Sequence, residues 1–129
     1  MNGQQISKLD LLKYKGDKKN GMPHGYGTLK KKKFRYEGNW KDGKLHGYGT
    51  LFEDEGNDEY GRQYKHEYEG EFYEGRKHGQ GTWKMWGGSK IVGEFKNDEP
   101  WNIEDFNSSG KLVNKLVNGE MINDTSLNT

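Results

Sequence analysis

The chain has 129 residues, enough for one domain, of which 29% are hydrophobic, and 21 Lys+Arg stand against 20 Asp+Glu. The net charge of +1 gives no global pull toward nucleic acid, and the lack of cysteine excludes a disulfide framework and a thiolate metal site. So low a hydrophobic content would read as disorder, but the balanced charge and the 13% of aromatic residues argue for a thin aromatic core instead.

Residues 1–11 read as a leader. The stretch Ile6 to Leu12 carries Lys8 and Asp10, which does not suit a signal peptide. Ser7 and Asp10 can form a capping box ahead of Leu11 and Leu12. No apolar run approaches the roughly 20 residues that span a bilayer. The chain therefore reads as soluble and cytoplasmic.

A repeat array follows over residues 12–103. Counting from Tyr14, Tyr36 and Tyr68, Gly falls at +2, +7, +11 and +13, His at +10 and Thr at +14 in all three copies. Seven matched positions in three copies mark internal repetition. The copies run over 14–35, 36–67 and 68–90, with a partial fourth over 91–103. Asn20-Gly21, Asp42-Gly43 and Glu74-Gly75 are two-residue hairpin turns, where type I′ geometry needs positive φ at both positions. A two-residue turn predicts that Trp40 faces Leu45, Gly38 faces Gly47 and Tyr36 faces Gly49. It likewise sets Gly16 against Gly25, Tyr14 against Gly27, Leu12 against Leu29, Gly70 against Gly79 and Tyr68 against Gly81. Each tyrosine ring would then cover bare glycine backbone.

Alternation places Phe34, Tyr36, Gly38, Trp40, Leu45, Gly47, Gly49 and Leu51 on one face. Arg35, Glu37, Asn39, Lys41, Lys44, His46, Tyr48 and Thr50 fall on the other. Copy three puts Tyr64, His66, Tyr68, Gly70 and Phe72 on the aromatic face. Glu53–Glu59 is predicted to be a protruding acidic loop with extended strands at its base. Lys30–Lys33 with Arg35 is its basic counterpart in copy one. Copy four keeps Ile91, Gly93, Phe95 and the turn Asn97-Asp98, then departs at Pro100, Trp101 and Asn102. A divergent terminal hairpin over 104–119 turns at Asn107–Gly110 and meets a further turn at Asn118-Gly119. Residues 120–129 read as a mobile tail.

The pattern Tyr-x-Gly-x-Trp/Phe … Gly-x-x-His-Gly-x-Gly-Thr resembles the membrane occupation and recognition nexus (MORN) repeat. The resemblance implies an all-β, elongated, single-layer antiparallel sheet of successive hairpins, twisted into a shallow trough. It also implies a scaffolding role, sometimes as a dimer, and lipid-headgroup binding has been attributed to the family.

The residues themselves point to a non-catalytic interaction module. A lone sheet leaves one face uncovered, so Tyr36, Trp40, Tyr68, Phe72, Trp83 and Phe95 are the candidates to line a partner-binding trough. The partner is another protein or a second copy of the chain. A second reading is a peripheral membrane adaptor, with Lys30, Lys31, Lys32, Lys33 and Arg35 contacting the phosphates of an anionic surface. No cofactor or metal is expected. His24, His46 and His78 recur two strands apart, roughly 9–10 Å, too far to share one ion at bond lengths of about 2 Å. Their expected role is a hydrogen bond at a turn end. The Gly-x-Gly of each copy lacks the strand–turn–helix context of a phosphate cradle. Scattered serines and carboxylates alternating with lysines on the outer face offer no nucleophile–base pair.

Overall fold

The computed structural model describes residues 5–122 and holds ten strands in one antiparallel sheet, ordered as in the sequence. A short helix, α1 (Lys8–Leu11), precedes them. The strands are β1 (Tyr14–Lys19), β2 (Met22–Lys30), β3 (Phe34–Lys41), β4 (Lys44–Asn57) and β5 (Gln63–Tyr73). They continue as β6 (Arg76–Met85), β7 (Lys90–Lys96), β8 (Glu99–Phe106), β9 (Leu112–Val117) and β10 (Glu120–Met121). Residues 120–121 of the expected tail thus pair with β9, and 123–129 lie outside the described residues.

All five two-residue turns have positive φ at both positions, from Asn20 (53°) and Gly21 (77°) to Asn118 (51°) and Gly119 (80°). Beyond the turns the register differs from the expectation. Trp40 pairs with Leu45 as predicted, but Gly38 pairs with Gly49 and Tyr36 with Leu51. Gly16 pairs with Gly27, Tyr14 with Leu29, Gly70 with Gly81 and Tyr68 with Trp83. Leu12 lies outside the strands and is exposed. The cause is a bulge: between Trp40–Leu45 and Gly38–Gly49, Asn39 stands alone opposite His46, Gly47 and Tyr48. Two extra residues leave the alternation of faces unchanged.

The bulge explains the glycine and tyrosine positions. Gly25, Gly47 and Gly79 take φ of 96°, 80° and 101° at its centre, where a Cβ would be strained. Asp17, Asn39 and Glu71, opposite the bulge, bond its backbone: Asp17 and Glu71 accept from the amides of Tyr26 and Gln80, and Asn39 donates to the Tyr48 carbonyl. The hydroxyls of Tyr14, Tyr36 and Tyr68 donate to the carbonyls of Asp17, Asn39 and Glu71 at 2.6, 2.7 and 2.9 Å. Each ring thereby lies over the glycine diagonally across from it. A Cβ on Gly49 would sit 2.3 Å from the Tyr36 hydroxyl oxygen. The ring-over-glycine packing holds, although the tyrosines do not directly face these glycines.

The core is a single line of rings on one face. Tyr14, Trp40, Tyr36, Phe72, Tyr68 and Phe95 follow one another edge to face, with centroids 5.0–5.4 Å apart. Each such pair adds about 0.5–1.5 kcal/mol to the burial of its rings. Leu29, Leu45, Leu51 and Ile103 fill the gaps. Near-total burial of rings on a one-layer sheet requires the sheet to curl around that face.

The turns are stitched to one another. The second turn residue donates to the preceding repeat: Gly43 to the Pro23 carbonyl, Gly75 to Leu45, Asp98 to Lys77 and Gly119 to Trp101, at 2.8–2.9 Å. The first turn residue donates to a histidine. The amides of Asp42, Glu74 and Asn97 reach Nδ1 of His24, His46 and His78 at 3.3, 3.4 and 3.2 Å. This is the turn-end role expected of the three histidines. In the divergent copy, Asn102 Oδ1 accepts from Asn118 in the same way.

Candidate functional site: an open groove on the aromatic face

The leader covers the first part of the aromatic face. Gln5 Nε2 donates to the Asp42 carbonyl and the Ile6 amide to the Gly43 carbonyl, at 2.7 and 2.8 Å. Ile6 joins the core and Leu11 packs against it. Ser7 caps α1 by accepting from the Asp10 amide, and the Asp10 carboxylate meets Lys31 Nζ at 3.0 Å. The leader therefore crosses the face from the turn edge at Gly43 to the far edge at Lys31.

Next to it the face is open. A hollow of about 440 Å³ is floored by Phe34, Leu45, Leu51, Phe72 and Trp83. Its turn edge is Gly75, Arg76, Lys77, Asp98 and Glu99, and its far edge is Glu53, Glu55 and His66. A second hollow of about 530 Å³ shares Glu55, His66 and Trp83 and continues to Tyr64, Met85 and Trp86. It lies against the long arm formed by β4 and β5, which pair out to Asn57–Gln63. The segment expected as an acidic loop is thus mostly strand. Its tip is closed by Asp58, which accepts from Arg62 and Tyr60. Burial alone would raise the Asp58 carboxyl; the bonds from Arg62, Tyr60 and Tyr64 outweigh it and hold the group below its ordinary value.

Trp83 is positioned by its neighbours. Its Nε1 donates to His66 Nδ1 at 3.0 Å, and His66 Nε2 lies 3.5 Å from Glu55 Oε1. Lys77 Nζ sits over the Trp83 ring at 4.5 Å and the Tyr68 ring at 5.6 Å, a cation–π arrangement favoured by partial desolvation. The groove thus combines a fixed aromatic floor with two edges of mixed charge.

The six rings expected to line the trough have different fates. Tyr36, Trp40, Tyr68, Phe72 and Phe95 are 0–4% exposed. They are core, because each is clasped by the next ring and by glycine backbone. Phe72, almost wholly buried, exposes little to the groove, and half-buried Trp83 is its main aromatic surface. Glu55 and Lys77 did not stand out in the sequence. His66 did carry a signal, since alternation puts it on the face of Tyr64 and Tyr68.

The basic segment lies on the outer edge near β2 and β3. Lys30, Lys32, Lys33 and Arg35 are exposed. Lys31 is engaged by Asp10 and lies over the Phe34 ring at 5.2 Å. Lys30, Lys31, Lys32, Arg35 and Phe52 border a shallow hollow of about 260 Å³. Among the described residues no group of three or more His, Asp or Glu is placed to hold a metal, and no helix is long and apolar enough to cross a membrane.

These features define a hairpin-repeat protein with a single curled sheet, an aromatic core line and an open groove. The family model of the MORN repeat matches residues 14–33, 36–56 and 68–85, so the chain carries three MORN repeats. The fourth hairpin lies beyond the matched segments. Among curated proteins none matches the chain. MORN repeats are in general protein- or membrane-interaction modules and are typically non-catalytic.

Proposed function

We propose that this protein is a non-catalytic scaffold whose partner, a segment of another protein, lies along the open groove on the aromatic face. The observation that carries this reading is the hollow over Leu45, Leu51, Phe72 and Trp83, uncovered beside a stretch that the chain's own leader fills. A preformed apolar floor with polar edges suits segment recognition. Tyr64 and Trp86, each 49% exposed, extend the apolar surface. The test uses groove residues that the core does not need. Tyr64→Ala with Trp86→Ala should leave the circular dichroism spectrum and melting temperature near those of the parent. Capture of the native partner should fall at least ten-fold. Undiminished capture by the folded double variant rejects the groove.

A second reading is supported by the four exposed basic residues Lys30, Lys32, Lys33 and Arg35, of which Lys30, Lys32 and Arg35 border one hollow. They would bind the phosphates of an anionic bilayer, each contributing about 1 kcal/mol. Flotation with anionic vesicles at low salt, where screening is weakest, decides it: absence of binding removes this reading.

A further inference from the structure

The open groove is the repeat equivalent of the seat that Ile6 occupies. In the first copy the leader's Ile6 shares the core cluster with Tyr14, Leu29 and Trp40, and its amide donates to the Gly43 carbonyl, while the Gly43 amide donates to the carbonyl of the buried Pro23. Shifting Tyr14, Pro23, Leu29, Trp40 and Gly43 each to its counterpart gives Tyr36, Leu45, Leu51, Phe72 and Gly75. Four of these, Leu45, Leu51, Phe72 and Gly75, line the hollow. In the following copy the seat is taken: Lys77 stands where Pro23 and Leu45 stood, and its side chain lies over Tyr68 and Trp83. The middle seat is therefore left open between a cis-occupied one and a lysine-filled one.

The charge at its far edge is reversed. In the first seat Lys31 receives the leader's Asp10. The counterpart of Lys31 is Glu53, and Glu55 stands beside it in the hollow. A segment running in the leader's direction would meet two carboxylates where the leader meets an ammonium.

We infer that the middle seat takes a partner segment with an aliphatic anchor and, four residues later, a Lys or Arg. The anchor's amide donates to the Gly75 carbonyl as the Ile6 amide does to Gly43. Its side chain rests on Leu45, Leu51 and Phe72. The basic residue meets Glu53 and Glu55. This rests on the groove reading above and specifies what the groove recognises.

The probe is a synthetic peptide of residues 3–12 carrying Asp10→Lys, followed by amide and indole resonances of the full chain. Expected shifts centre on Gly75, Arg76 and the Trp83 indole. The unmodified peptide, with Asp10, should bind about three- to ten-fold more weakly at low salt, the range for one exposed ion pair plus removal of a like charge. Adding Ile6→Asp to the basic peptide should abolish the shifts. Glu53→Lys in the protein should reverse the preference, so that the Asp10 peptide becomes the better ligand. Three outcomes overturn the inference: no shift at millimolar peptide, shifts at Gly43 and Ile6 that mark displacement of the leader, or a preference that ignores Glu53. If the peptide fails while Tyr64→Ala with Trp86→Ala still abolishes native capture, the groove reading stands and only its specificity falls.

Discussion

At the scale of the residue, the repeat tyrosine joins three tasks: it fills the core, covers a glycine and donates to a carbonyl where the ladder is interrupted. These tasks require the neutral phenol. Burial, then neighbouring charge from Asp17, raises Tyr14 above its ordinary value of 10.0. Burial first, and then nearby Tyr26, pushes Tyr36 further up, and burial followed by Glu71 does the same to Tyr68. The unfolded phenols titrate near 10, and the folded ones above it. Their contribution is therefore complete below pH about 10 and is lost as pH rises through the folded values, at up to about 1.4 kcal/mol per pH unit for each tyrosine. Urea unfolding between pH 8 and 12 should show stability falling steeply above 10. Tyr36→Phe should cost about 1 kcal/mol at pH 8 by leaving the Asn39 carbonyl without its donor, and should flatten the alkaline slope by one tyrosine's share. An unchanged slope would mean that Tyr36 ionises freely in the fold.

At the scale of the element, each hairpin is closed by its own turn, and each of the first three is tied to the next by a histidine. His46 Nδ1 accepts from the Glu74 amide, which has positive φ at the turn's first position and points along the stack. His46→Ala removes that acceptor and should lower stability by about 0.5–1.5 kcal/mol. His46→Asn should recover part of the loss, because Asn102 serves the same amide position in the divergent hairpin. Thermal melts of the two variants check this; equal melting temperatures would leave the histidine with packing alone. The turns and faces were legible because Asn-Gly and Asp-Gly pairs fix φ, and alternation survives any even insertion. The register was not. A two-residue bulge at Gly47 changes which residues pair without changing which face they occupy, so period-2 reading cannot detect it. A clue did exist: Gly at +11 recurs in all three copies, and simple Gly-to-Gly pairing gave that glycine no reason for positive φ. The groove was legible only as a face. That rings at this spacing bury one another depends on the curl of the sheet, and that the leader covers one stretch depends on two bonds to a distant turn.

At the scale of the whole molecule, every strand pairs only with its sequence neighbours, and no second layer bridges distant repeats among the described residues. Stability is then a sum of hairpin terms and nearest-neighbour interfaces. The ring line couples adjacent repeats, since Tyr36 touches both Trp40 and Phe72, but its reach from one end to the other is indirect. The two ends also differ. The first repeat has the leader across its face, whereas the fourth hairpin, which β9 and β10 follow, carries Ile91 where the first three have Tyr. Its bulge is also smaller, with only Trp101 extra between the Glu94–Asn102 and Phe95–Pro100 pairs. A lesion at one end should therefore loosen that end first. Tyr14→Ala removes a buried ring from the edge-to-face pair with Trp40 and should cost about 3–5 kcal/mol locally. Native-state hydrogen exchange should show this loss in β1 and β2, which should also shed the leader. The amides of β6, β7 and β8 should keep their opening free energies within about 0.5 kcal/mol. An equal fall in all strands would instead show that the ring line makes the sheet a single cooperative unit.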